Sequence, residues 1–284
     1  MEHDHEGQRV SRRTLVRGLS LLSLGGVLAA CAKETEGTPT ATAPATGTTG
    51  SDLFAGLAAC ALTLETTQGP YYFDADKVRS DIREDRAGKR LRVAIKVQDS
   101  ETCAPVPNAV VEIWHCDADG LYSGAEAQST GGGGGPGGGA PPGGGGPGGT
   151  PPSGGPGPGG GNGGIADLVP TDDKRYLRGA QVTNGEGVVE FTTVWPGWYR
   201  GRTVHIHAMV HVSNNRVLTT QMMFDEALNT KVFADKPYSA HTGRDTFNNN
   251  DSIFKDSMLA KVTEDGDGYL SAMVFGADSD KDGA

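Results

Sequence analysis

The run Pro196-Gly197-Trp198-Tyr199-Arg200-Gly201-Arg202-Thr203-Val204-His205-Ile206-His207 gathers a phenol, a guanidinium and two imidazoles. His205 and His207 alternate with Val204, Ile206 and Ala208, the period-two pattern of a strand. Both imidazoles then leave one face, with Cα atoms ~6.5–7 Å apart, so the two rings can converge on a single metal ion. Pro196 and Gly197 break the chain ahead of that strand, which lets Tyr199 fold back over it. A bare His-x-His also occurs on the polar face of any half-buried strand. The remainder of a site has to come from elsewhere in the chain.

The elements that would position these groups read as strands. Leu91–Gln98, Ala109–Cys116, Arg175–Thr183, Val188–Trp195, Val204–Val212, Val217–Phe224 and Tyr269–Phe275 alternate or are rich in β-branched and aromatic residues. Asn184-Gly185-Glu186-Gly187 carries the signature of a hairpin turn. Residues 231–254 read as a long, polar, irregular connection, and no long helical period is present. Strand signals separated by turn residues predict an all-β fold, a β-sandwich. Residues 130–164 are almost wholly Gly and Pro, without the strict every-third glycine of collagen, and read as a long disordered insertion in that sandwich. Asp265-Gly266-Asp267-Gly268 and the Asp278–Gly283 run lack the full ligand set of a calcium loop and read as a solvated turn and tail.

The 284-residue chain does not read as one folded unit throughout. Residues 1–30 hold Arg12-Arg13 ahead of a short apolar run ending Leu28-Ala29-Ala30-Cys31, a Tat-type lipoprotein signal that predicts export and a lipid anchor on Cys31, at the outer face of the cell membrane or released outside. Residues 31–53 are small and polar and read as a flexible tether. Residues 54–284 form the predicted domain. The formal net charge of −10 argues against a nucleic-acid partner. Of the cysteines after Cys31, Cys60 and Cys103 are the favoured disulfide pair, because Cys116 lies in a strand near the candidate site. His115 reads as structural. His211 lies ~13 Å along the strand from His207, too far to share a metal. Trp114 and Trp195 read as core.

Taken together, several pieces resemble the intradiol ring-cleavage dioxygenases, in particular their exported single-domain bacterial branch. They are Gly69-Pro70-Tyr71, Val111-Glu112-Ile113-Trp114, Asp117-Ala118-Asp119-Gly120-Leu121-Tyr122, Arg178-Gly179 through Thr192, the run from Pro196 to His207, and Thr220-Gln221. The resemblance implies a non-haem Fe(III) held by Tyr122, Tyr199, His205 and His207. Two phenolates with two imidazoles also suit a hard trivalent ion better than zinc or copper. It implies that O2 opens a catecholic ring between its hydroxylated carbons to a cis,cis-muconate-type diacid. Tyr199 would leave the iron and take a substrate proton. Arg202 would stabilise the anionic substrate, Gln221 would lie beside it, and Gly69, Pro70 and Tyr71 would line the pocket mouth. The rival expectation is a β-sandwich binding module on the cell surface without catalysis.

Overall fold

A computed structural model describes residues 53–57, 60–130 and 166–281. The signal, nearly all of the tether and almost the whole insertion fall outside these residues. The strands are β1 (Arg90–Asp99), β2 (Val110–Trp114), β3 (Arg178–Val182), β4 (Val188–Val194), β5 (His205–Val212), β6 (Asn215–Met223), β7 (Lys261–Asp265) and β8 (Gly268–Ala277). Helix α1 spans Glu126–Thr130 and α2 spans Glu226–Phe233. No described helix is long and apolar enough to cross a membrane.

Two four-stranded sheets, ordered β4-β1-β8-β7 and β3-β2-β5-β6, form the expected sandwich. Alternation explains their facing. In β1, Leu91, Val93, Ile95 and Val97 are fully buried, while Arg90, Arg92 and Lys96 stay partly exposed. The buried set meets Val111 and Ile113 of β2, Ile206, Ala208 and Val210 of β5, and Leu218 and Met222 of β6 in one core. Each of the Val, Leu, Ile and Met side chains among them contributes roughly 1.5–3 kcal/mol by leaving water.

The other face of the second sheet is covered as well, which is why β5 is buried along nearly its whole length. The segment after Cys60 crosses it. Thr66 N–H donates to Thr219 O at 2.8 Å, Arg79 N–H donates to Ala180 O at 3.0 Å, and Tyr71, Tyr72, Trp114, Tyr122 and Met209 pack as a separate cluster beneath the crossing. The start of this segment is tied down by a Cys60–Cys103 disulfide, the expected pair.

Three local expectations need correction. Asn184–Gly187 turns as its chemistry dictates, with Asn184 Oδ1 accepting from Glu186 and Val188 N–H, yet it is not a hairpin. β3 pairs with β2 and β4 pairs with β1, so the turn carries the chain between sheets. The stretch read as irregular from Lys231 begins inside α2, whose N-cap is Asp225, its carboxylate accepting from Ala227 and Leu228 N–H. Strand β2 ends at Trp114, leaving Cys116 beyond it, buried and free. The Asp265–Gly268 turn closes the β7–β8 hairpin and is ion-paired to Arg90. Side-chain oxygens of Glu101, Asp278 and Asp280 lie within 4.8 Å of one another at the surface.

Candidate active site

The site is built on the outer face of the second sheet. Register sets its first row: Trp114 lies opposite His207, and His207 opposite Gln221. His205 follows on the same face. Its Nδ1 lies 2.6 Å from Thr203 O, a partner that can only accept, so Nδ1 carries the proton and Nε2 presents a lone pair to the cleft. The Trp114 indole lies flat against the His207 ring, with centroids 5.0 Å apart and planes 6° apart.

Two turns deliver the phenols. Asp117 Oδ1 accepts from Asp119 and Leu121 N–H, curling the chain so that Tyr122 enters the interior. Gly197 N–H donates to Asp117 O at 3.1 Å, and a Cβ at Gly197 would come within 2.2 Å of that oxygen, so only glycine allows the two turns to touch. That contact sets Tyr199 beside Tyr122. Tyr71 stacks on Tyr122 at 4.5 Å. Gly69, with φ +70°, puts its backbone against the His207 ring.

The four expected ligand atoms converge. His205 Nε2 is 3.1 Å from His207 Nε2, 3.2 Å from Tyr199 Oη and 3.5 Å from Tyr122 Oη. Neighbouring ligands, each about 2.1 Å from one ion, stand about 3.0–3.4 Å from each other, so the spacing fits a shared ion. Among the described residues His207 Nδ1 is buried with no hydrogen-bond partner, so nothing outside the cluster competes for that ring. Burial, helped by the Arg202 charge, depresses His205 to about 3, and burial with His205 and Arg202 holds His207 well below its ordinary range. Both rings are therefore neutral donors near pH 7. Burial raises the phenols of Tyr122 and Tyr199 above their usual value, against the Arg202 charge that lowers them. Two imidazoles with two phenols that can ionise to hard, anionic phenolates form a donor set able to hold a metal ion.

Arg202 lies at the edge of this cluster. Its Nη2 donates to Gln221 Oε1 at 2.5 Å and its Nε to Asp251 Oδ2 at 2.9 Å. Pro70 is half-buried between Gly69 and Tyr71. The expected site residues are thus brought to one place. His211 is held apart by Glu112 at 3.2 Å, and His115 is fully buried between Cys116 O and Thr193 Oγ1. Trp195 sits in the inter-sheet core, and Trp114 is buried in the separate apolar cluster on the outer face, where it also backs His207. Its alternation with Val111 and Ile113, which places it on the face of His207, was the available signal. Thr203 and Asp251 were also missed; nothing in the local pattern around Asp251 points across to Arg202.

No protein-family model matches the chain, and no curated protein does. Among solved structures it is similar to an intradiol ring-cleavage dioxygenase from Tetranychus urticae, at 29% identity and a TM-score of 0.62, over 78% of this chain and 96% of that one. It is also similar to a second dioxygenase crystal structure, at 29% identity and a TM-score of 0.63, over 78% of this chain and 95% of that one.

Proposed function

We infer that this chain, which groups with the intradiol ring-cleavage dioxygenases, is a non-haem Fe(III) enzyme that opens catecholic rings with O2 between the two hydroxylated carbons, giving a cis,cis-muconate-type diacid. The observation that carries this reading is the convergence of Tyr122, Tyr199, His205 and His207 on one point. Those four residues would hold the ion. When bound, Fe(III) supplies a site for the two catechol oxygens and draws electron density from the ring.

The chain's own residues account for the rest. Tyr199 is half-buried and is delivered by a short turn, whereas Tyr122 is fully buried under Tyr71, so Tyr199 is the phenol free to swing. As a phenolate, Tyr199 would take a proton from one catechol hydroxyl. Arg202 presents fixed positive charge to the anionic ring as negative charge builds on it. Gln221 orients that guanidinium from the neighbouring strand. Tyr71 and Gly69 close the cleft over His207 and Tyr122 and keep water out.

Metal content and the visible spectrum, before and after anaerobic catechol, test this. A coloured protein with about one iron per chain, whose band moves on adding catechol, is the expected result. Oxygen uptake across a panel of catechols then identifies the substrate, and Tyr199→Phe is expected to abolish most turnover. A colourless chain that iron cannot reconstitute overturns the reading in favour of a binding module. We also propose export through the twin-arginine signal and anchoring at Cys31. The Cys60–Cys103 disulfide supports an oxidising destination. Lipid labelling that is lost in Cys31→Ser checks the anchor.

A further inference from the structure

Arg202 is held on two edges, and the third is left open. Nε is tied to Asp251 and Nη2 to Gln221, while Nη1 has no hydrogen bond to the described residues in a side chain that remains 15% exposed. The guanidinium is therefore held at two nitrogens with Nη1 unengaged. Gln221 is neutral, so the charged anchor is Asp251.

Asp251 is built for that task. Its side chain is fully excluded from solvent. Oδ2 accepts from Arg202 Nε at 2.9 Å and from Thr203 N–H at 2.7 Å, and Oδ1 accepts from Ile253 N–H at 2.8 Å. Burial alone would raise this carboxyl. The Arg202 charge and the two backbone amides outweigh it and hold the carboxyl below its ordinary value, so it is ionised whenever the protein is folded near neutral pH. The same oxygen thus fixes both the guanidinium and the residue whose carbonyl sets the His205 tautomer. It comes from the turn after Asn248–Asn250, distant in sequence from either strand of the site.

We propose that Asp251 is a positioning residue for ring cleavage, aiming the open edge of Arg202 at the substrate. This rests on the reading of the site as a catechol dioxygenase. Catechol is bound chiefly through its two oxygens, whereas the guanidinium acts on charge that develops later. Loosening Arg202 therefore lowers kcat more than it raises KM.

The test is a double-mutant cycle in the full-length chain: Asp251→Asn, Arg202→Gln and the pair, each with kcat expressed per bound iron, KM, and the anaerobic catechol dissociation constant read from the visible band. Asp251→Asn is expected to lower kcat per iron about tenfold to a hundredfold. KM and the anaerobic dissociation constant should stay within about threefold. In the Arg202→Gln background the same change should cost no further activity, because the two residues act as one unit. Losses that multiply across the cycle, or an Asp251→Asn protein altered only in thermal midpoint, overturn the proposal. If Asp251→Asn does not fold, Asp251→Glu keeps the charge, displaces the carboxylate by one methylene, and runs the same cycle. A wild-type chain without ring cleavage would instead sink the functional reading itself, so the two failures are distinguishable.

Discussion

Gly69→Ala tests whether the covering segment sets the imidazole geometry. Gly69 has φ +70°, where a residue with a Cβ costs roughly 1–2 kcal/mol. The added Cβ would lie 3.1 Å from His207 Cε1 and 3.4 Å from Nε2. Carbon contacts are most favourable at about 3.5–4.0 Å, so the ring or the loop must give by a few tenths of an ångström. The ring is stacked against Trp114, and its Nε2 is 3.1 Å from that of His205, so a displaced His207 spoils the ligand cluster. Small misplacements of reacting groups cost up to about a hundredfold in rate. The comparison is Gly243→Ala, with φ +91° and nothing within 4 Å of its Cβ, which carries backbone strain alone. Gly243→Ala should lose roughly 1–2 kcal/mol in urea melts from backbone strain alone, and Gly69→Ala at least as much. Only Gly69→Ala should lose kcat/KM, about tenfold to a hundredfold, and bind iron more weakly. Equal activity and equal iron affinity in the two variants would refute the argument that this backbone shapes the site.

The disulfide and a buried histidine give two further expectations. Cys60→Ser with Cys103→Ser opens a loop of sequence separation 43, and the loop-entropy relation gives about 4 kcal/mol of lost stability, read from urea midpoints under oxidising conditions. His115 is fully buried, and burial lowers it from 6.5 to about 4. Below pH 6.5 the unfolded chain takes up this proton before the folded one does. The stability it protects is therefore whole above pH 6.5 and drains away as pH falls toward 4, by about 3 kcal/mol in all. Urea titrations across that range should show the slope in wild type and a shallower one in His115→Gln; identical slopes would reject it.

Several strands were legible because their alternation is regular: β1, β5 and β8 fall where Leu91, His205 and Tyr269 announce them. The four candidate residues were named from the resemblance and the His-x-His period, and the structure brings their side-chain tips together. What was not legible was pairing. Asn184-Gly185 states that the chain turns and says nothing about which sheet receives each strand. β7, with exposed Lys261 and Thr263 and only a part-buried Val262, lacks a buried face, so no alternation marks it. α2 is only eight residues long and buries just Asn229 and Val232, too little to print a helical period. Asp251 escaped for a further reason: it serves Arg202 from a polar turn, where an aspartate is ordinary.

The order of the strands has a consequence for how the molecule is made. β8 lies between β1 and β7 and pairs with β1 in parallel from Leu91–Tyr269 to Asp99–Ala277. The sheet bearing His205 and His207 has all four of its described strands once Met223 has been synthesised. Its partner stays half-built, β1 holding only β4, until β8 has cleared the ribosome. The growing chain therefore owns the strands of the cleft before it owns the wall they rest on. Through that interval the inner face of Val111, Ile113, Ile206 and Ala208 has no complete surface to close on. A nascent chain of this design depends on being kept from sticking to others until β8 arrives.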